Sequence, residues 1–484
     1  MNSIMDTFCA ALSSDSSIYV YEQSVDESSG VAAAIIRLDG VKMLAAMGEK
    51  ADQFSGEKRG DLVIAPLTTE NSRVLMDLFP YTRPHSHKDH PYTIGLGDRL
   101  GIATAGHVRL IRRYKVYPVL AQQSIRELTL TGRTFADVIG AAAFGVFQEG
   151  YKDGYGADGD HLKTKEEIKY ALSSNCTMVT LDCSEHIVAH AATDSDEEIA
   201  EQYSQIPEDV RKHYEQVYLG VKMPIIGELN EKDLKRVVVE FWDAIRHAEE
   251  CYRYIDEIRT TEVDFELSID ETLTITTPAE HFVIANELSA QGICPVSVAP
   301  HFNGSFEKGI DYAGDLKQFA SDLAVHQEIA DHFGYKLSLH SGSDKFMVFP
   351  TWGRIASERW HVKTAGTNWL EALKVVAGND PELFRRALAY AMEHRSEAEK
   401  YYHVSTDPAL IPDPDLESDA YLPEYLVNLS SRQTLHITYG QLLNQEWFRE
   451  AFFRLLDEHE EEYYQNLESH IGKHLRYLGA EKKD

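Results

Sequence analysis

The chain has 484 residues, of which 43% are hydrophobic and 26% are charged, a composition typical of a globular protein and not of a disordered or fibrous one. Its 78 acidic and 47 basic side chains give a formal net charge of −31, which repels nucleic-acid phosphates and anionic lipid surfaces. We therefore expect neither a nucleic-acid nor a membrane partner, and an anionic ligand would require a local cluster of basic side chains.

The N-terminal region begins without a basic stretch followed by an apolar one, and no window in the chain approaches 18 consecutive apolar residues. The five cysteines show no CxxC spacing, which indicates a reducing compartment and no thiolate zinc site. We therefore expect a cytoplasmic protein. Residues 17–47 contain short alternating runs separated by Ser-Gly and Asp-Gly breaks, which predicts a small N-terminal α/β cap over residues 1–85.

From about residue 90, eight short apolar or alternating runs recur with helical segments between them. This pattern is typical of βαβ units, and eight such units predict a (β/α)8 TIM barrel over residues 86–370. The runs are YTIGLGD (92–98), YPVLAQQ (117–123), GYGADGDH (154–161), TMVTLDCS (177–184), VDFELSID (263–270), PVSVAPHF (295–302), KLSLHSG (336–342) and HVKTAGT (361–367).

Two further regions have helical character. An acidic insertion at about residues 187–260 separates the fourth run from the fifth, and we expect it to cover the barrel mouth. Residues 371–484 form a predicted helical C-terminal extension. Its aromatic side chains have helical spacing, which predicts a protein core or a subunit interface and leaves a homo-oligomer open.

The candidate catalytic residues lie at the ends of the predicted strands, because barrel enzymes place their reactive groups there. The third run ends in Asp160 and His161, Glu266 points inward from the fifth run, and His340 ends the seventh. Since these runs are all odd-numbered, we expect the side chains to converge. Two imidazoles and a carboxylate suit Zn, Mn, Co or Ni, with His301 at the end of the sixth run as an alternative ligand.

Other polar residues near the strand ends are candidates for substrate contacts. Gln122, Gln123 and Arg126 follow the second run and offer donors for hydroxyls and a carboxylate. Arg99 lies in a glycine-rich loop at residues 95–101. Because this loop lacks the Walker lysine and the full Rossmann spacing, we interpret it as a tight turn at the barrel mouth and not as a nucleotide site.

Several long segments resemble the tagaturonate (fructuronate) epimerase family, over roughly residues 90–440. They are GLGDRLGIATAGHVRL, PVLAQQSIRELTLTGRT, FQEGYKDGYGADGDHLKT, FEKGIDYAGDLKQF, LSLHSGSDKF and HVKTAGT. The resemblance implies a metal-dependent barrel enzyme that inverts C4 of a 2-keto-hexuronate, and that in some members acts on the matching ketohexose, fructose or tagatose. It also implies that Arg99, Arg126 or Lys345 pairs with the carboxylate of this small sugar acid.

A fainter resemblance connects the chain with class II aldolases. Asp160-His161 before a helix, LDCSEH and LHSGSD are similar to aldolase segments that hold an acid/base aspartate and zinc-binding histidines. This similarity implies that Asp160 transfers a proton and that His161 and His340 bind the metal. His301 is similar to a third aldolase ligand, but variation at this position in the epimerase family favours Glu266.

The implied reaction requires an unusual route, because C4 lies beta to the carbonyl and its hydrogen is not acidic. We predict retro-aldol cleavage between C3 and C4, rotation of the aldehyde fragment and re-addition, since no Rossmann fingerprint for a nicotinamide cofactor is visible. This route needs a second acid/base besides Asp160, and Glu266, Asp182 and Glu185 are the candidates. The alternatives are an aldolase that releases its fragments and a sugar-binding barrel without catalysis.

Overall fold

A small antiparallel sheet with two helices precedes the barrel in the computed structural model, which describes residues 3–270, 272 and 274–483. Its strand order is β1-β3-β4-β6-β5, and β2 pairs with β3. The elements are α1 (Ile4–Ser13), β1 (Ile18–Val20), β2 (Asp26–Ser28), β3 (Val31–Leu38), β4 (Val41–Gly48), β5 (Glu57–Arg59), β6 (Leu62–Pro66) and α2 (Thr69–Leu78).

The first half of the barrel and the insertion that follows it occupy residues 92–258. The elements are β7 (Tyr92–Leu96), α3 (Thr104–Ile111), β8 (Tyr117–Ser124), α4 (Ile125–Thr131), α5 (Phe135–Gln148), β9 (Gly156–Leu162), α6 (Lys165–Ser173), β10 (Met178–Asp182), α7 (Asp196–Gln205), α8 (Glu208–Tyr218), β11 (Lys222–Met223), β12 (Gly227–Glu228) and α9 (Glu231–Ile258). The N-terminal part of α9 packs on α7 and α8, whereas its C-terminal part packs on the barrel.

The second half of the barrel closes the sheet, because β16 pairs in parallel with β7. Its elements are β13 (Asp264–Ile269), α10 (Pro278–Ala290), β14 (Ser297–Pro300), α11 (Leu316–Phe333), β15 (Lys336–Leu339), α12 (Phe349–Ile355) and β16 (Trp360–Thr364). The closed strand order is β10-β13-β14-β15-β16-β7-β8-β9. The predicted (β/α)8 fold is therefore confirmed, and each predicted run overlaps one barrel strand.

Helices follow the last barrel strand and build a separate apolar cluster. They are α13 (Thr367–Asn379), α14 (Pro381–Glu393), α15 (Arg395–Ala398), α16 (Leu429–Ile437), α17 (Tyr439–Leu443), α18 (Glu446–Glu458) and α19 (Glu460–Tyr477). The predicted aromatic stripe contributes Phe448, Phe452, Tyr463 and Tyr464 to this cluster, where they are buried with Trp369. Among the described residues, no single helix is long and apolar enough to cross a membrane, although α4 and α5 together, bent by 82°, satisfy length and composition.

The N-terminal sheet is buried on both faces because the side chains of β3 alternate between two apolar clusters. One set, containing Val31 and Ile35, packs with α2 and the barrel helix α5, and the other, containing Ala34 and Ile36, packs with α1. The sheet is thereby attached to the outside of the barrel.

A partly buried ion pair joins this sheet to the C-terminal helix α19. Glu460 contacts the Lys42 ammonium, accepts a bond from Arg37 at 3.1 Å and accepts the Tyr21 and Tyr464 hydroxyls at 2.6 Å each. Burial raises the pKa of Glu460, but Lys42 and these hydrogen bonds outweigh burial and lower it from 4.5 to about 2. Because the folded pKa is depressed, the stabilisation is present above about pH 4.5 and is lost as the pH falls towards 2.

We expect Glu460→Gln to lower the free energy of unfolding at pH 7 by about 2 kcal/mol, because it leaves a partly buried ammonium without its counter-ion. Urea denaturation of the variant measures this. Glu461→Gln is the matched control, since Glu461 is 64% exposed where it pairs with Arg109 and should contribute less than about 1 kcal/mol. Equal destabilisation by the two substitutions would contradict the assignment.

Candidate active site

A cavity of about 80 Å³ lies where the carboxyl ends of the parallel barrel strands meet. It adjoins a second cavity of about 360 Å³, with which it shares Arg126, Asp270, Lys308, His340 and Ser341. The described residues of the insertion at 187–260 line neither cavity, and its predicted position over the mouth stays a prediction. The C-terminal region does contribute to the lining, with residues 401–403 and His436.

An irregularity in β9 brings two consecutive side chains to this cavity. Val179 of β10 pairs with Gly159 and Leu181 pairs with Leu162, so Thr180 alone faces both Asp160 and His161. His161 has a φ of 52°, a left-handed conformation that is uncommon for a non-glycine residue. The bulge allows both side chains to line the cavity, although consecutive residues of a regular strand point to opposite faces.

Lys363 of β16 is surrounded by three carboxylates. Its Nζ lies 2.8 Å from Asp158, 2.7 Å from Asp160 and 2.8 Å from Glu266. Burial lowers the pKa of Lys363, but the carboxylates outweigh burial and raise it well above its usual value. For Asp160, burial raises the pKa, but Lys363 and the neighbouring imidazoles outweigh burial and hold this pKa below its usual range. Asp160 is therefore ionised at neutral pH.

The predicted residues His161, Glu266 and His340 lie close together. The rings of His161 and His340 are 5.0 Å apart, and His340 Nε2 lies 2.8 Å from Glu266 Oε1. Glu266 is fully buried and also accepts the Ser297 hydroxyl, so it lies behind His340 and does not line the cavity. The carboxylate that lines the cavity next to His340 is Asp270, whose Oδ2 lies 3.2 Å from His340 Nδ1.

His301 is placed differently from the other predicted ligands. It lines the larger cavity, where its Nδ1 lies 3.2 Å from the Thr272 hydroxyl, and it is absent from the lining of the smaller one. Asp182 is buried behind His161, with its Oδ2 3.8 Å from His161 Nδ1. Glu185 is exposed and pairs with Lys163 at 3.1 Å, so neither of these carboxylates lines the cavity.

Three of the predicted substrate-binding residues line the smaller cavity: Arg99, Gln122 and Arg126. Arg99 is buried and donates to Glu127 at 2.7 Å, whereas Arg126 is exposed. Gln123 is buried outside this lining.

The structure does not bring Lys345 to the cavity. Its fully buried ammonium donates to three backbone carbonyls, of Glu307, Ile310 and Ser343, at 2.6 to 3.0 Å. These bonds use all three of its donors, so it cannot pair with a ligand carboxylate without breaking them. Lys308 is the lysine that lines both cavities, and its Nζ donates to Ser341 at 3.0 Å.

Polar atoms without partners point to a polar ligand in this cavity. Among the described residues that line it, three have buried side-chain atoms with neither a hydrogen bond nor an ion pair: Arg99 Nη1, Gln122 Oε1 and both ring nitrogens of His436. The Nδ1 atoms of His161 and His340 also form no hydrogen bond, but they lie 3.8 Å from Asp182 and 3.2 Å from Asp270, respectively. An unpaired buried polar group costs about 1–3 kcal/mol, so such a concentration indicates a site that is completed by a ligand. His436 reaches it because Gly366 leaves room for its ring; a Cβ there would overlap it.

Comparisons with known proteins identify the family of this chain. The family model for tagaturonate epimerase matches residues 21–478. The chain belongs to this family. The predicted resemblance is thereby confirmed, and the protein is a carbohydrate epimerase of the isomerase class.

Individual relatives align along almost the whole epimerase. A tagaturonate/fructuronate epimerase of Thermotoga maritima is 38% identical over 469 residues, which cover 95% of this chain and 96% of the relative. Crystal structures of the fructuronate-tagaturonate epimerase UxaE from Cohnella laeviribosi are 47% identical, with a TM-score of 0.95. The glycerol complex covers 98% of this chain and the native structure covers 99%, each with 99% of its own chain aligned.

The epimerase has a second group of side chains that could hold a metal ion. Asp344, His470 and His474 place ligand atoms within 4.8 Å of one another. His474 Nε2 already accepts the Asp344 backbone N–H at 3.0 Å, and Arg432 pairs with the Asp344 carboxylate. Because His474 Nε2 and the Asp344 carboxylate already have these partners, we interpret the group as an ionic contact that fixes α19 to the loop after β15.

Proposed function

We propose that this epimerase interconverts tagaturonate and fructuronate in the cavity at the barrel mouth. The observation that carries the proposal is that five side chains lining one cavity have polar atoms without hydrogen bonds, which suits a ligand rich in hydroxyls. The named activities of relatives that align over the whole chain support this substrate class. The adjoining cavity provides room for a six-carbon sugar acid.

The proposed cofactor is a divalent cation, Zn, Mn, Co or Ni, held by His161, His340 and Asp270. The imidazoles of His161 and His340 and the carboxylate of Asp270, which all line the cavity, form a mixed nitrogen and oxygen donor set that suits these cations. Glu266 fixes the orientation of His340 from behind, as carboxylates commonly do for metal-binding histidines. A bound cation supplies a Lewis acid that stabilises the enediolate charge of the retro-aldol step.

The proposed proton acceptor is Asp160. Because Lys363 keeps it ionised, its carboxylate can take the proton of the C4 hydroxyl as the C3–C4 bond breaks. The bonding electrons pass to C3 and C2, and C4 becomes the aldehyde carbon of the fragment that carries the carboxylate. Rotation of this aldehyde and renewed attack by C3 on its opposite face invert C4, and the proton held by Asp160 is returned to the new C4 alkoxide.

The test of the proposed function is product analysis by NMR with tagaturonate as the substrate. Formation of fructuronate without other products supports an epimerase of this specificity. Net release of the two three-carbon fragments would instead show an aldolase, and binding without conversion would show a sugar-binding barrel. Fructose and tagatose are tested in the same assay, since the neutral ketohexoses differ from the sugar acids only at the end that carries the carboxylate.

Arg126 and Lys308 are proposed to bind the substrate carboxylate, since both line the two cavities and neither forms an ion pair with a carboxylate among the described residues. We expect Arg126→Gln or Lys308→Met to lower kcat/KM for tagaturonate about 30-fold, the loss of a charged hydrogen bond of about 2 kcal/mol. Activity on the neutral ketohexose should change much less. Lys317→Met, at an exposed position of α11, is the control. Unchanged selectivity in both variants would exclude this role.

A further inference from the structure

A second cavity, of about 640 Å³, lies at the opposite end of the barrel from the candidate active site. Residues 175–177 directly precede β10, and Val263 directly precedes β13, so the cavity lies at the amino ends of these strands. Helix α2 of the N-terminal region, helix α6 and the end of α9 form its other walls. It shares no lining residue with the two cavities at the barrel mouth.

The charge of this cavity is opposite to that of the chain. Its charged lining residues are four cations and one carboxylate, although the chain has 78 acidic and 47 basic residues. The cations are Arg73, Arg83, Lys169 and Arg259, and the carboxylate is Asp77. The net charge of −31 repels anions from most of the surface. The local excess of positive charge attracts them to this cavity.

Two of the cations are available to a ligand. Arg83 pairs with Asp77 and donates to the Met76 carbonyl at 2.8 Å, and Arg259 pairs with Asp256. In contrast, the side chains of Arg73 and Lys169 form no ion pair or hydrogen bond with any residue in the described ranges 3–270, 272 and 274–483. They lie on α2 and α6, on two walls of the cavity, so an anion between them would bring both helices together through charge.

The remaining lining determines which anion fits. Met76, Leu172, Ile258 and Val263 give the cavity an apolar part, next to the hydroxyls of residues 260 and 261. A fully hydrated inorganic ion would gain nothing from these apolar side chains, whereas an organic anion would bury its carbon skeleton against them. A volume of about 640 Å³ lies in the range of small-molecule sites.

We propose that this cavity binds a small organic anion with at least two negative charges and an apolar part, at a site separate from the catalytic one. The site is in direct contact with the strands that carry the candidate catalytic residues. Thr177 in its lining accepts the backbone N–H of Ala157 in β9 at 3.0 Å, and β9 ends in Asp160 and His161. A ligand here would therefore contact the β9-α6-β10 unit from the end opposite to the substrate.

The test uses phthalate as the organic dianion and sulfate as the inorganic one, with binding measured by isothermal titration calorimetry on the full-length protein. We expect phthalate to bind at least ten times more tightly than sulfate, and Arg73→Gln/Lys169→Met to weaken phthalate binding at least tenfold. The matched control is Arg126→Gln/Lys308→Met, which removes two cations from the barrel mouth and should leave phthalate binding unchanged.

Three outcomes would overturn the proposal. Equal binding by the wild type and Arg73→Gln/Lys169→Met would show that the cations do not form the site. Loss of binding only in Arg126→Gln/Lys308→Met would place the dianion in the candidate active site. A change in sedimentation coefficient caused by Arg73→Gln/Lys169→Met, without a change in phthalate affinity, would show that this face contacts a second copy of the chain. None of these results depends on whether tagaturonate is the substrate.

Discussion

Chelation of the purified enzyme is expected to abolish epimerisation, and Mn, Co, Ni or Zn ions are expected to restore it. The reason is that breaking a C–C bond between two hydroxyl-bearing carbons places a negative charge on the three-carbon enediolate, and the cations of the cavity have other partners. Arg99 pairs with Glu127, and Arg126 and Lys308 are proposed to bind the substrate carboxylate. Lys363 lines the cavity, but its ammonium is already shared by three carboxylates. Loss of the cation should therefore remove most of the transition-state stabilisation.

Single substitutions around the proposed metal site should separate direct ligands from supporting residues. His161→Gln, His340→Gln and Asp270→Asn each remove a proposed ligand, so metal content, measured by mass spectrometry, and activity should be lost together. Glu266→Gln keeps the ligands but weakens the orientation of His340, which should lower metal affinity about 10- to 100-fold and leave activity recoverable at high metal concentration. His301→Asn should retain the metal, since His301 lines only the larger cavity.

The opposite pattern would assign the third ligand differently. If Glu266→Gln or His301→Asn lost stoichiometric metal while Asp270→Asn retained it, Asp270 would not be a ligand. Full activity of metal-free enzyme would exclude a role of the cation in catalysis. Loss of metal only in substitutions of Asp344, His470 or His474 would move the site to the group that connects α19 with the loop after β15.

The barrel was predictable from the sequence because its signals are local. Each strand is a short apolar or alternating run bounded by a turn, and parallel strands place their polar ends at the same mouth. The residues that end these runs, His161 and His340, therefore lie close together as predicted. Asp270 carried the same signal, since it ends the alternating series of Glu266 and Ser268, but its proximity to His340 depends on the closed barrel.

Other residues of the site could not be recognised from local patterns. Lys308 lies in the irregular segment after β14, and His436 comes from α16, far along the chain from the strand ends. Lys345 follows His340 closely in sequence, but the segment folds so that its ammonium is enclosed by backbone carbonyls. Lys363 lies at an inward position of β16, where a buried lysine requires carboxylate partners. Only the tertiary structure identifies these partners as Asp158 and Asp160.

Asp160→Asn is expected to lower turnover at least about a hundredfold, the scale of general-base loss, while the metal remains bound. The amide has the size of the carboxylate and can still contact Lys363, but it cannot accept the hydroxyl proton. Asp158→Asn is the matched control, because Asp158 also lies 2.8 Å from Lys363 but does not line the cavity. It should retain turnover within about tenfold of the wild type, and equal losses in the two variants would assign both carboxylates to the orientation of Lys363.

Isotopic labelling then distinguishes the routes by which C4 can be inverted. Retro-aldol cleavage breaks a carbon–carbon bond and never transfers the C4 hydrogen, so substrate deuterated at C4 should keep its label without exchange with solvent. Transient oxidation by a tightly bound nicotinamide could also retain the label, which makes rate effects the deciding measurement. A ¹³C effect on turnover at C3 and C4, without a primary deuterium effect, is expected for retro-aldol chemistry. A primary deuterium effect at C4, together with nicotinamide released on denaturation, would reject it in favour of hydride transfer.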